Sequence, residues 1–128
     1  MDAALVIAIG MALAFALTNG FHDAANAIAT LVATRAARPV TAIAMASVAN
    51  LLGPLLVGAA VANTVAGIVT VEPETAVAVI GAGLSGAVMW NVITWYRSIP
   101  SSASHALVGG LAGAAVATAG VGALAGGA

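Results

Sequence analysis

Apolar residues form four long stretches along the chain, separated by short segments that carry proline, charged or hydroxyl residues. The stretches run roughly from Ala3 to Thr34, Val40 to Ala62, Ala76 to Trp95 and His105 to Leu124. About 20 helical residues cross the hydrocarbon core of a bilayer, so the second and third stretches have the length of ordinary membrane spans. The first stretch is too long for one straight span, and Gly20 with the polar residues after it predicts a break there.

The composition of the chain agrees with a membrane-spanning fold. Of the 128 residues, 62% are hydrophobic and only 5% are charged, and the mean hydropathy is +1.15. Such a chain has too little polar surface to cover a soluble globule. A formal net charge of -1 provides no basic surface for nucleic acid, so the expected surroundings are membrane lipid. We therefore expect residues 1–128 to form a single all-α transmembrane domain with about four helical segments.

The charged residues predict an orientation in the membrane. Arg35 and Arg38 lie between the first two stretches and Arg97 follows the third, whereas Glu72 and Glu74 lie in the segment between the second and third stretches. If every stretch crosses the bilayer, all three arginines fall on one side. The positive-inside rule makes that side cytoplasmic, so we expect a multi-pass protein of the cytoplasmic (inner) membrane with its N-terminus outside.

A stripe of polar side chains interrupts the first stretch. Asn19, Asp23, Asn26 and Thr30 are spaced so that they share one face of a helix. A carboxylate inside an apolar span is by default a functional residue, and the neighbouring oxygens suit a sodium ion or a titrating proton. The alternative is a stripe of hydrogen bonds between helices. His22 is either a proton relay that shares a proton with Asp23 or a neutral imidazole bound to a neighbouring backbone group.

A hydroxyl-rich segment precedes the fourth stretch. Pro100 opposes helix continuation, and Ser102 or Ser104 can cap the helix that begins here. With Ser101, these hydroxyls and the N–H groups of the first turn suit an oxyanion such as phosphate or sulfate. The alternative is an ordinary capped loop at the membrane surface. The serines have only His105 nearby and no acid follows it, and the two histidines lack metal-ligand spacing, so we expect neither an enzyme nor a metal centre.

Two segments resemble the signatures of the inorganic phosphate transporters known as the PiT family. They are Asn19–Ala27, which reads NGFHDAANA, and Ile99–Leu107, which reads IPSSASHAL and follows the pair Trp90-Asn91. The resemblance implies two inverted repeats and a phosphate site near the membrane midplane, made by re-entrant hairpin tips and broken helices of both halves. The chain resembles the first repeat, the N-terminal half of a bacterial low-affinity phosphate permease. We expect it to be truncated and to need a second half or a homo-oligomer.

The resemblance also implies roles for single residues. Asp23 and Asn26 would serve the coupling cation, and phosphate oxygens would be held by Ser101, Ser102 and Ser104. Together with the polar stripe, the expected coupling-ion residues are Asn19, Asp23, Asn26 and Thr30. If the third and fourth stretches form a re-entrant hairpin instead of two full spans, Arg97 lies deeper in the membrane than a loop residue.

The predicted function is symport of inorganic phosphate, free or as a neutral metal-phosphate complex, with protons or sodium. No cofactor is expected. By resemblance to the PiT family, Phe21-His22-Asp23 stands where sodium-coupled members commonly carry a small residue, asparagine and aspartate. This difference favours protons as the coupling ion. The alternatives are a sulfate permease of the same architecture and an inactive membrane fragment or assembly partner.

We expect lipid vesicles that contain only these 128 residues to take up no phosphate, because half of the site implied by the resemblance is missing. Uptake of radiolabelled phosphate into such vesicles measures this directly. Saturable uptake above that of protein-free vesicles would contradict the expectation that a second half is needed.

Overall fold

The computed structural model describes residues 2–57, 63 and 67–124. Within them the chain forms four α-helices, which we number α1 to α4, and a short 3-10 helix. Their bounds are Ala3–Ala33 for α1, Pro39–Val57 for α2, Pro73–Tyr96 for α3, Ala103–Ala119 for α4 and Val121–Ala123 for the 3-10 helix. The first three are long and apolar enough to cross a membrane, whereas α4 is shorter. The four predicted stretches correspond to α1 to α4, and the last part of the second stretch, residues 58–62, lies outside the described residues.

The expected break at Gly20 is wrong, because α1 is one continuous helix of 31 residues. At a rise of about 1.5 Å per residue it is about 46 Å long. Space is open around Gly20, so no neighbour forces the backbone apart there. Glycine lowers the cost of a break but does not require one, and an unbroken helix satisfies its own backbone N–H and C=O groups in apolar surroundings.

The helix α3 lies between α1 and α4 and supplies more of the buried positions than any other described helix. Its buried residues recur every three or four positions, as expected for a stripe along a helix, and they are Val79, Gly83, Leu84, Ala87, Asn91 and Thr94. Hydrogen bonds join Thr18 to Asn91 and His22 to Thr94, so residue numbers rise together along α1 and α3 and the two helices are parallel.

The end of α3 and the start of α4 form the tip of a helical hairpin. The N–H groups of Ser98 and Ile99 donate to the carbonyls of Trp95 and Thr94, respectively, and Ser98 has a φ of 52°. This is the Schellman arrangement that commonly ends helices. Ser102 then caps α4, since its hydroxyl accepts the backbone N–H of His105 at 3.3 Å. The predicted helix start at the serine segment is confirmed.

The parallel register of α1 and α3 determines how far the hairpin reaches. His22 lies beside Thr94, so the tip that begins at Ser98 lies near Asn26, and these elements line a common cleft. Arg97 is therefore level with about residue 25 of α1. Arg35 lies ten residues further along the chain, which corresponds to about 15 Å of helix. Arg97 thus does not share the depth of Arg35, and the N-terminal orientation stays a prediction.

A close crossing of small residues holds α3 against α4. A Cβ atom added at Gly83 would lie 2.9 Å from the Cα of Leu111, and one added at Gly110 would collide with the carbonyl oxygen of Gly83. Only glycine at these two positions permits this separation of the backbones. Small residues are the usual means of close helix approach in membranes, where lipid offers no hydrophobic drive for helix association.

We expect Gly110→Ala to lower the melting temperature of the protein in detergent, because the added methyl group must push α4 away from α3. Overpacking of this kind costs about 1 to 3 kcal/mol. Gly113→Ala is the matched control, since it lies on the same helix with open space around its Cβ position. Equal melting temperatures for the two variants would show that the crossing accommodates a methyl group at position 110, contrary to the structure.

Candidate functional site

The first cleft of the candidate site lies between α1 and α2. It has a volume of about 350 Å³, and its polar lining residues are Asn19, Asp23 and Asn50. Asn19 and Asp23 are one helical turn apart on α1, and Asn50 lies in the middle of α2. The cleft therefore brings together one carboxylate and two carboxamides. Oxygen ligands of these types suit a hard cation, and the carboxylate can also hold a proton.

The second cleft lies between α1 and the hairpin tip. Its volume is about 370 Å³, and its polar lining includes His22, Asn26, Ser98 and Ser101. The predicted stripe is therefore divided: Asn26 lies with the serine segment, whereas Asn19 and Asp23 face α2. Thr30 is exposed and lies outside both clefts.

The three predicted phosphate-binding serines occupy different positions. Ser101 lines the second cleft and also a third, larger cleft of about 770 Å³ that runs between α3 and α4. Ser102 lines this third cleft together with Trp90 and His105. Ser104 is exposed on the first turn of α4 and lies outside these clefts. Ser101 is thus the serine that borders both α1 and the hairpin.

A buried layer of polar side chains joins α1 to α3 directly beside the second cleft. Asn91 is fully buried and donates from its amide nitrogen to the Thr18 hydroxyl at 3.3 Å. Thr94 is 1% exposed, and its hydroxyl lies 3.3 Å from Nε2 of His22. The carboxamide oxygen of Asn91 has no hydrogen-bond partner among the described residues. Polar groups in apolar surroundings are costly without partners, so this layer favours one register of the two helices.

The environment of His22 bears on its two predicted roles. Its Nδ1 lies 3.2 Å from the backbone carbonyl of Thr18. A carbonyl can only accept, so this ring nitrogen carries a hydrogen and donates it. The ring contacts α3, whereas Asp23 lines the cleft on the α2 side. The ring therefore makes the backbone contact of the second alternative, and a role of His22 as a proton relay stays a prediction.

Sequence reasoning gave no role to several residues that the structure places at the site. They are Thr18, Asn50, Asn91 and Thr94. Their signal was present in the sequence, because each is a polar residue inside an apolar stretch, and Asn91 and Thr94 have a helical spacing of three. What the sequence lacked was the pairing of helices that turns separate polar residues into contacts.

The helices and their clefts define a class of protein, a multi-pass membrane protein with polar groups gathered between its helices. A family model described as "Phosphate transporter family" matches residues 19–127. The chain belongs to this family of transporters, which confirms the resemblance noted from its two signatures and excludes an enzyme.

Individual relatives agree with the family. A probable low-affinity inorganic phosphate transporter of Streptomyces halstedii is 50% identical over 115 residues, which cover 88% of this chain and 53% of the relative. One from Bacillus subtilis is 48% identical over 130 residues, covering 97% of the chain and 38% of the relative. The low-affinity inorganic phosphate transporter PitA of Escherichia coli is 38% identical over 115 residues, covering 85% and 23%, respectively. The chain thus spans about half or less of the length of these relatives. No solved structure matches it.

We expect Thr94→Val to destabilise the packing of α1 on α3, because it removes the hydroxyl next to His22 and leaves Nε2 of that ring without its buried partner. The expected cost is about 0.5 to 2 kcal/mol. Thr118→Val is the matched control, since the Thr118 hydroxyl is exposed and donates only to Ala114 of its own helix. Thermal melting of the purified protein in detergent compares the two, and an equal loss in both would argue against a special role of the buried layer.

Proposed function

We propose that this chain carries the anion-binding and coupling-ion residues of a secondary transporter that moves inorganic phosphate together with a cation. The proposal depends on the position of Ser101. This serine lies on the hairpin tip, next to the part of α1 that carries the family signature Asn19–Ala27, in a chain of the phosphate transporter family. The relatives named above as inorganic phosphate transporters support phosphate as the anion.

The anion is held at the hairpin tip. The start of α4 offers free backbone N–H groups and the positive end of the helix dipole, and Ser101 adds a hydroxyl. These donors match the oxygens of a tetrahedral oxyanion. The donors named here are neutral, and Arg97 is the cationic residue that directly precedes the tip in the sequence.

The cation occupies the cleft between α1 and α2. Asp23 provides the charge, and the carboxamide oxygens of Asn19 and Asn50 are close enough in the fold to line the same space. Both a sodium ion and a proton on Asp23 would neutralise the carboxylate while the site moves through the membrane. Because His22 faces α3, the coupling reaction does not need it as a shared proton carrier.

The depth of these residues fits a site inside the membrane. Asp23 lies twelve residues before Arg35 and Asn50 lies twelve residues after Arg38, which corresponds to about 18 Å of helix. If this turn lies at the membrane surface, the cleft is near the middle of a hydrocarbon core of about 30 Å. The hairpin tip near Asn26 then ends about 12 Å below that surface. We therefore favour a re-entrant hairpin for α3 and α4.

A chimera tests the transported anion. In the Bacillus subtilis relative, the region that matches this chain is replaced by residues 1–128, and the chimera is expressed in cells without their own phosphate transporters. We expect uptake of radiolabelled phosphate that excess sulfate does not reduce. Competition by sulfate at equal concentration would favour the sulfate permease, and a correctly inserted chimera without uptake would contradict transport by these residues.

The coupling ion is tested with the same chimera in vesicles. Imposed gradients of pH and of sodium are compared for their power to drive phosphate uptake. Our hypothesis is that Asp23 takes up a proton, so a pH gradient drives accumulation. Uptake that follows the sodium gradient and does not respond to the pH gradient would contradict proton coupling and would assign sodium as the ion at Asp23.

We expect Asp23→Asn in the chimera to reduce gradient-driven phosphate uptake by about tenfold or more. The amide keeps the shape of the side chain but removes the negative charge that binds the coupling cation. Glu74→Gln is the matched control, since Glu74 is an exposed acid in the first turn of α3, away from the clefts. The initial rate of uptake, corrected for the amount of protein in the membrane, is the measurement. Equal rates for Asp23→Asn and the unchanged chimera would contradict the assigned role of Asp23.

A further inference from the structure

The indole of Trp90 makes a directed contact with the hairpin tip. Its Nε1 donates to the hydroxyl oxygen of Ser101 at 3.0 Å. An indole nitrogen can only donate, so in this contact Ser101 can only accept. The contact joins the third helix to the start of the fourth across the cleft that both residues line.

The acceptance of this hydrogen bond leaves the Ser101 proton available. A serine hydroxyl has one proton to donate and two lone pairs that accept. Within residues 2–57, 63 and 67–124, the Ser101 hydroxyl accepts a hydrogen bond from Trp90 and donates none, so its proton can turn to a ligand. Trp90 thereby occupies one acceptor position and favours the hydroxyl as a donor.

The neighbouring serine differs. The Ser102 oxygen accepts the backbone N–H of His105 and also lies 2.8 Å from Nδ1 of the same histidine. Ser102 is therefore engaged within its own helix cap. Among the described residues, the Ser101 oxygen bonds to Trp90 on the preceding helix, whereas the Ser102 oxygen bonds within its own helix cap.

We propose that Trp90 is a positioning residue for anion binding: its indole N–H fixes Ser101 as a hydrogen-bond donor toward the transported oxyanion. The inference rests on the proposed function, because it assumes that the anion binds at the hairpin tip. Ser101 lines both the cleft beside His22 and Asn26 and the cleft beside Trp90. Its hydroxyl can therefore accept from Trp90 in one cleft and donate to an anion in the other.

The physical reason is preorganisation. Hydroxyls near a helix start readily donate to nearby backbone carbonyls, and a hydroxyl that does so must turn before it can bind an anion. A donor that is already oriented binds oxyanion oxygens without that cost. Loss of the indole N–H therefore weakens anion binding while leaving the Ser101 hydroxyl in place.

The first test is Trp90→Phe in the chimera described above. We expect the KM for phosphate to rise by about 2- to 10-fold, the range for one neutral hydrogen bond, with little change in the maximal rate. Tyr96→Phe is the matched control, because it also removes one polar hydrogen from an exposed aromatic residue of α3, and Tyr96 is 80% exposed. An unchanged KM in Trp90→Phe, or an equal rise in Tyr96→Phe, overturns the inference.

A double-mutant cycle separates positioning from packing. If Trp90 acts through the Ser101 hydroxyl, Trp90→Phe has no further effect on KM once Ser101→Ala is present. If Trp90 supports only the shape of the hairpin, the two substitutions multiply their effects, and the inference is wrong. Replacement of Trp90 by benzothienylalanine, which keeps the two-ring shape but lacks the N–H, repeats the test if the phenylalanine variant does not reach the membrane.

The same experiment distinguishes the inference from the function on which it rests. Ser101→Ala without any effect on the KM for phosphate would contradict the anion site at the hairpin tip, and Trp90 would lose its proposed role with it. A raised KM in Ser101→Ala combined with independent effects of Trp90→Phe would leave the anion site intact and reject only the role of Trp90.

Discussion

The buried polar layer between α1 and α3 sets the position of the groups at the candidate site. His22 meets Thr94 and Thr18 meets Asn91 in surroundings that are otherwise apolar. A shift of one helix along the other would separate both pairs and leave buried polar groups without partners. The register that results brings the tip of the α3–α4 hairpin to the part of α1 that carries Asn26.

The hairpin behaves as one structural unit because its two helices are in backbone contact. The crossing at Gly83 and Gly110 leaves no room for a side chain, and the Schellman turn and the Ser102 cap give hydrogen-bond partners to the N–H groups of Ser98, Ile99 and His105. The serine segment is therefore presented on a rigid support. A binding group on such a support keeps its geometry better than one on a free loop.

The division of the polar stripe gives α1 two different neighbours. Asp23 and Asn19 face α2, while Asn26 faces the hairpin. Helical spacing predicted a single polar face, and these residues do lie along one side of a continuous helix. However, a face of that width meets more than one partner helix, so spacing along one helix could not tell which residues share a cleft.

The sequence by itself determined that this is an all-helical membrane protein, roughly where its helices lie, that the last of them starts at the serine segment, and which family its motifs indicate. These features depend on local composition and spacing, which can be read directly from the amino-acid sequence. Tertiary structure alone decided that α1 stays unbroken at Gly20, that His22 binds α3, and that Ser101 lies between Trp90 and α1. Those outcomes depend on which helices meet and in what register, and this follows from contacts between residues that are about 70 positions apart in the pairs His22–Thr94 and Thr18–Asn91.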